Sequence, residues 1–170
     1  MEAVEEKGQA VAQEQGQIKI TVCLSLSGVA EGGQEVYDEF QKQISEMEAN
    51  ATLGERKCEM GQVGCRGYCS RDVLVDVYIP GESRVTYEKV KPAMVKSILN
   101  DHIVGGKVFK KAASKDNYYD TLKMQTRVVL EHGGVIDPES IDEYIRVGGY
   151  ESLKKVLTSM KPDGVIAEIK

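Results

Sequence analysis

The pattern of apolar and polar positions predicts alternating strands and helices over residues 17–106. Residues 17–24 alternate Ile18, Ile20 and Val22 with polar side chains, which is typical of a half-buried strand. A loop is expected at 25–33. Apolar residues at helical spacing then predict an amphipathic helix, with Val36, Tyr37, Phe40, Ile44 and Met47 on its apolar face.

Three more strands and a second helix are predicted after this helix. The strands are expected at 55–63, 72–81 and 83–90, and the helix at 91–107. A helix between the first two strands favours a right-handed parallel crossover, whereas the last two strands suggest a hairpin. The order β-α-β-β-β-α predicts a small α/β layer arrangement of thioredoxin type.

Composition divides the chain into four parts. Residues 1–16 are rich in Glu and Gln and are interpreted as a flexible leader. Residues 17–106 form the predicted α/β domain, and the polar, weakly periodic stretch 107–126 is interpreted as a linker. Residues 127–170 are predicted to be a short, mainly helical segment with too few apolar residues to stand alone.

The segment 127–170 has its own local signals. Val128 to Leu130 are predicted to be a short extended run. Asp137 is expected to cap a helix with Pro138 at its first position. Two more short helices are expected at 150–160 and 162–170.

Composition and charge exclude several classes of function. The net charge of −5 disfavours binding to nucleic acid, which requires clustered Lys and Arg. No apolar run approaches the roughly 18 residues of a spanning helix, and the N-terminus lacks the features of a signal peptide. The protein is therefore expected to be cytoplasmic, without direct membrane insertion, where cysteines serve as ligands, redox groups or core residues.

The four cysteines are the main candidates for chemistry. Cys65 and Cys69 form a C-x₃-C pair in a Gly-containing loop, a spacing that lets two thiolates converge on one iron or zinc ion. If strands one and two are parallel, Cys23 lies at the same sheet edge, which predicts Cys23, Cys65 and Cys69 as metal ligands. Cys58 is predicted to face the core as a small buried hydrophobe.

Other interpretations of these residues stay open. Cys65 and Cys69 could be a reduced pair without a ligand, or a thiol redox pair, although a redox pair is more often C-x-x-C at a helix N-terminus. Structural zinc is disfavoured because a fourth ligand is missing. The histidines, His102 and His132, are interpreted as structural, so no catalytic residue is predicted.

Two stretches carry a resemblance to a known family. The segment "KITVCLSLSGVAEGGQEVYDEF" together with "VGCRGYC" resembles the thioredoxin-like [2Fe-2S] domain of the 24-kilodalton-type subunit of NADH dehydrogenases. The segment 127–170 looks like the opening of the 51-kilodalton-type flavoprotein subunit, to which that domain is fused in some relatives. Similar fused flavoproteins occur in NAD-linked hydrogenases, formate dehydrogenases and bifurcating complexes of the benzoyl-CoA reductase type.

The resemblance implies a ligand set for a [2Fe-2S] cluster. The family's first ligand matches Cys23, and its C-x₃-C pair matches Cys65 and Cys69. Its second ligand falls at Gly28, or in some relatives at Ser27, and neither is a cysteine here. Ser27 and Cys58 are left as alternatives for a fourth ligand.

The resemblance also implies a function. The chain is expected to be an electron-transfer component of an NAD(H)-linked oxidoreductase complex, with other subunits of that complex as its partners. FMN and NADH are implied only where the family's later segments are supplied, and no catalysis is expected of this chain by itself. The alternative is a clusterless scaffold that assembles the complex without redox chemistry of its own.

Overall fold

A computed structural model describes residues 17–115 and 124–170 of the chain. The predicted leader at 1–16 and the part of the predicted linker at 116–123 lie outside the described residues. The described part divides by its internal contacts into two units, with the boundary along the chain between Asp137 and Pro138.

The described residues of the first unit form a four-stranded sheet and three α-helices. Its elements are β1 (Ile18–Cys23), α1 (Leu26–Ala30), α2 (Gly33–Ala49), β2 (Cys58–Val63), β3 (Val75–Tyr78), β4 (Val85–Tyr87) and α3 (Pro92–Ile98), which a wider π-helical turn (Leu99–Val104) continues. The predicted order of strands and long helices is therefore confirmed. The short helix α1 was not predicted.

The sheet has the strand order β2-β1-β3-β4. Strands β1 and β2 are parallel, with Ile18 opposite Cys58 and Cys23 opposite Val63. Strand β3 runs antiparallel to β1 and to β4. The expected parallel crossover and hairpin are both present.

The alternation along β1 and β3 gives the sheet two different faces. One face carries the main apolar core, in which strand residues pack with residues of α2 and α3; it includes Ile18, Ile20, Val22, Val36, Phe40, Ile44, Val75, Val77, Val95 and Ile98. The other face carries buried polar side chains, among them Lys19, Thr21 and Asp76. Because side chains point alternately to opposite faces of a strand, Cys23 lies on this second face with Thr21.

Chain that follows the predicted linker contacts the first unit at two places. A Cβ added at Gly134, which has φ 78°, would lie 2.5 Å from Cγ of Arg66. The side-chain amide of Gln62 donates to Asp137 Oδ1 at 3.3 Å. Residues 124–137 thus belong to the first unit, so the division by contacts falls later than the expected start of the last segment at 127.

Three local predictions were wrong. Residues 26–30, expected as loop, form α1 because the Ser25 side chain accepts from Gly28 N and caps it. Val128 to Leu130 form turns and not an extended run. Asp137 does not cap the following helix, since the Ser140 side chain takes that position and accepts from Glu143 N.

The predicted linker begins as part of the sheet unit. Ala113 forms an isolated antiparallel bridge with Tyr87, and Glu88 N donates to Ala112 O at 2.8 Å. Ala112 is buried. This stretch extends the edge at β4, so a linker beginning at 107 was too early.

The second unit consists of three short helices. They are α4 (Ile141–Arg146), α5 (Glu151–Ser159) and α6 (Pro162–Ile169), and none of their residues is buried. The two expected helices near 150–160 and 162–170 are confirmed. Among the described residues, no helix has the length and apolar character needed to cross a membrane.

Candidate metal centre

The ends of β1 and β2 meet at one edge of the sheet. Leu24 N donates to Val63 O at 3.0 Å, and Cys23 N donates to Leu74 O at 2.9 Å. The thiol of Cys23 donates to Gly64 O at 3.8 Å, on the residue before Cys65. The parallel pairing therefore brings Cys23 beside the cysteine loop, as the sequence predicted.

Cys65 and Cys69 are brought together within that loop. Their sulfur atoms lie 3.8 Å apart, and both side chains are exposed. The backbone N–H of Gly67 donates to Cys65 Sγ at 3.3 Å, and Gly67 has φ 86°, a conformation that glycine adopts readily. Cys69 begins a short 3₁₀ turn that ends at Arg71.

Sequence reasoning missed the group that anchors this loop. The side chain of Arg66, next to Cys65, points into the protein and forms an ion pair with Asp76 of β3. Thr86 Oγ1 donates to Asp76 Oδ1 at 2.7 Å. Burial opposes ionisation of Asp76, but the charges of Arg66 and Arg84 hold the pKa of its carboxyl below its usual range. A charged residue in the middle of an apolar strand was the available signal.

A second missed residue is Asp72, which follows the 3₁₀ turn. Its side chain is buried, and Oδ1 has no hydrogen-bond partner among the described residues. Burial raises the pKa of Cys23, and the Asp72 charge adds to this increase. The hydrogen bond to Cys65 and the charge of that thiol raise the pKa of Cys69, and Asp72 contributes in the same direction.

The position of the family's second ligand is blocked by backbone. Gly28 is buried in α1, and a Cβ there would overlap the carbonyl oxygen of Cys23 and lie 3.0 Å from its carbon. The hydroxyl next to the Cys23 sulfur is that of Ser25, at 3.3 Å, and not that of the candidate Ser27. No cysteine fits at position 28 without movement of this turn.

Cys58 is excluded as the fourth ligand by its place in the sheet. It pairs with Ile18, at the opposite end of β1 from Cys23, which is five residues or roughly 16 Å away along the strand. Cys58 packs against the main core, on the other face of the sheet from Cys23. Burial raises the pKa of Cys58 to about 11, as expected for a half-buried thiol.

The residues present do not fit a four-cysteine cluster. They supply three thiols at one edge, of which two are in contact and the third is buried. Within residues 17–115 and 124–170, no three His, Cys, Asp or Glu side chains are gathered in a way that could hold a metal ion. The orphan Asp72 oxygen is a hard donor, a poor match for a centre normally built on thiolates.

Comparison with known proteins identifies the family. Residues 10–102 match the family described as thioredoxin-like [2Fe-2S] ferredoxin. The chain belongs to this family. Membership supports an iron–sulfur cluster as the cofactor type, although Gly28 replaces one ligand expected from the resemblance.

A solved structure of a family member has the same fold. The wild-type thioredoxin-like [2Fe-2S] ferredoxin from Aquifex aeolicus superposes with a TM-score of 0.50 at 21% identity, covering 59% of this chain and 98% of that one. A second structure of a ferredoxin from that organism gives 0.48 at 23% identity, with coverage of 57% and 89%. The family match and the first of these structures confirm the predicted mixed α/β thioredoxin-like ferredoxin fold, followed by helices.

A curated relative is similar over a shorter stretch. Fifty residues are 52% identical to the NADP-reducing hydrogenase subunit HndC of Solidesulfovibrio fructosivorans, covering 29% of this chain and 10% of that protein. The chain thus spans about a tenth of the length of this relative.

Proposed function

We propose that this chain is an electron-transfer component of an NAD(H)-linked oxidoreductase complex, where it docks beside iron–sulfur and flavin centres. The observation that carries the proposal is the meeting of Cys23 with the Cys65–Cys69 loop at one edge of a ferredoxin-family sheet. The local similarity to an NADP-reducing hydrogenase subunit supports a nicotinamide-linked complex.

The second unit supports docking onto other subunits. Its helices bury none of their residues and expose large apolar side chains, including Ile141, Ile145, Leu157 and Ile169. Apolar surface of this kind is stabilised by a partner. Segment 127–170 resembles the opening of a flavoprotein subunit, so we infer that the partners are subunits of such a complex. FMN and NADH would bind to parts of the family that lie outside these residues.

A specific observation favours a second candidate, the clusterless scaffold. The Gly28 position cannot take a side chain in this turn, and Cys58 lies at the wrong end of β1. A chain with three thiols at the edge would then keep the ferredoxin fold for packing between subunits and carry no electrons itself.

Iron and sulfide quantification on the full chain, with electron paramagnetic resonance after reduction, separates the two candidates. An electron relay requires about two iron and two sulfide per chain and a signal from the reduced centre. Cys69→Ser, which removes one exposed candidate ligand, is the matched control and is expected to lose the iron. A folded, iron-free and silent wild-type chain rejects the relay and leaves the scaffold. If the iron-free chain also fails to co-purify with a flavoprotein subunit, the scaffold is rejected too.

A further inference from the structure

The Cys65–Cys69 pair has a second chemistry that needs no metal. We propose that Cys65 and Cys69 form a reversible intramolecular disulfide, so that this loop is a thiol–disulfide redox site in its own right. The proposal goes beyond the electron-transfer function and concerns the chain in its cluster-free form.

The distance between the two sulfurs carries the proposal. They are 3.8 Å apart as free thiols, and a disulfide bond is about 2.05 Å long. The sulfurs must therefore approach by less than about 2 Å, which small rotations of two exposed side chains can provide. Exposure also lets a small oxidant reach either sulfur.

The fold keeps this pair in place by anchoring the residues between and after it. Arg66 is held by Asp76 in the interior, so the chain must turn outward at Gly67. After the pair, Arg71 N donates to Tyr68 O at 2.9 Å and closes the 3₁₀ turn that Cys69 begins. The loop is thus anchored at Arg66, between the two cysteines, and by the turn that begins at Cys69. The proximity of the sulfurs does not depend on a metal drawing them together.

The other two cysteines are poorly placed to compete. Cys23 is buried, and its sulfur lies 3.3 Å from Ser25 Oγ and 3.8 Å from Gly64 O. Cys58 is half-buried at the far end of β1. Oxidation is therefore expected to select the exposed pair among the four thiols of the chain.

The reaction balances with a small-molecule disulfide as oxidant. One thiolate of the pair attacks a sulfur of the oxidant, forms a mixed disulfide and releases one small thiolate. The second thiolate attacks the protein sulfur of that mixed disulfide, closes the intramolecular bond and releases the other small thiolate. The protein loses two electrons and two protons, and the oxidant is reduced to two thiols. In this form both sulfurs are unavailable to a metal.

The test uses the full chain, stripped of iron by a chelator under reducing conditions and then incubated with oxidised glutathione. Free thiols are counted by alkylation, and the linked residues are identified by peptide mass spectrometry. The expected result is a change from four free thiols to two, with a 65–69 cross-link that dithiothreitol reverses. Thiol loss at the pair is expected to be at least about tenfold faster than at Cys58.

Three variants make the outcome decisive. Cys65→Ser and Cys69→Ser, which change exposed positions, are expected to stop at the glutathione mixed disulfide. Cys58→Ser is the matched control and is expected to leave cross-linking unchanged. Stable mixed disulfides on both residues of the wild type, or a disulfide that includes Cys23 or Cys58, would overturn the proposal. Because the sample is iron-free, this result is independent of the iron measurement above.

Discussion

Replacing Arg66 with methionine tests whether the buried ion pair holds the cysteine loop against the sheet. The substitution keeps an extended, unbranched side chain but removes the guanidinium that neutralises Asp76. The side chains of Arg66 and Asp76 are 1% and 0% exposed, so the remaining carboxylate would be left charged in the interior.

The structure sets the expected loss of unfolding free energy in Arg66→Met. Removal of one partner of a buried pair costs about 3–5 kcal/mol of unfolding free energy. Thr86 and Tyr78 hydroxyls, at 2.7 and 3.3 Å from the carboxylate, still donate to it in the variant. We therefore expect a loss near the lower end of that range, about 3 kcal/mol. This is a large share of the roughly 5–15 kcal/mol that stabilises a domain.

The effect depends on pH with a defined sign. In the wild type the pKa of Asp76 is below its usual range, so its contribution to stability is present above about pH 4 and is lost on acidification. Removal of the Arg66 charge raises the pKa of Asp76, because burial then opposes ionisation with only the Arg84 charge and the hydroxyl donors left to offset it. The ionised carboxylate is therefore less stabilising in the variant than in the wild type as pH increases. The stability difference between wild type and Arg66→Met is thus expected to be larger at pH 7 than at pH 4.

Urea denaturation followed by circular dichroism measures this difference at both pH values. The matched control is Arg71→Met, which breaks the salt bridge between Arg71 and Glu88. In the wild type a guanidinium nitrogen of Arg71 lies 2.6 Å from a carboxylate oxygen of Glu88, and these side chains are 27% and 23% exposed. A partly exposed pair of this kind contributes at most about 1 kcal/mol. A loss in Arg66→Met no greater than that of the control, or one that does not change with pH, would refute the reasoning.

Three other outcomes are expected. Gly28→Cys is expected to unfold at lower urea concentration and to bind no more iron than the wild type. The reason is that its Cβ would lie 3.0 Å from the Cys23 carbonyl carbon. A gain of iron at unchanged stability would contradict this. A hydrogen bond to Cys65 and the charge of that thiol raise the pKa of Cys69. Cys65→Ala is therefore expected to shift the alkylation of Cys69 by iodoacetamide to lower pH. An unchanged pH profile would mean that the two thiols are uncoupled. Burial lowers the pKa of His102, so the unfolded state binds more protons below about pH 6.5 and stability falls on acidification. His102→Asn is expected to remove this part of the pH dependence, and a persisting slope would assign it to other groups.

Much of the fold could be predicted because its signals are local. The alternation in β1 and the helical spacing in α2 each involve residues a few positions apart, whose directions are set by backbone geometry. The parallel pairing of β1 and β2 followed from the helix between them. These rules place Cys23 and the Cys65–Cys69 loop at one edge without coordinates.

The anchor of that loop shows where prediction from sequence ended. Arg66 stands between two cysteines, and Asp76 stands among apolar residues of β3. Each of these charged residues indicates that a buried partner is needed, but the sequence does not show that they pair with each other. Their pairing depends on β3 lying beside β1, antiparallel to it, and on the loop folding back over the second face of the sheet.

By itself, the sequence determined the order of strands and helices and the sheet edge on which three thiols lie, because both follow from backbone periodicity and connection rules. Only the tertiary structure decided which groups meet there: the contact between two sulfurs, the carbonyl that blocks position 28, and the remoteness of Cys58. These are distances of a few ångströms between parts of the chain that packing brings together, and local patterns do not specify them.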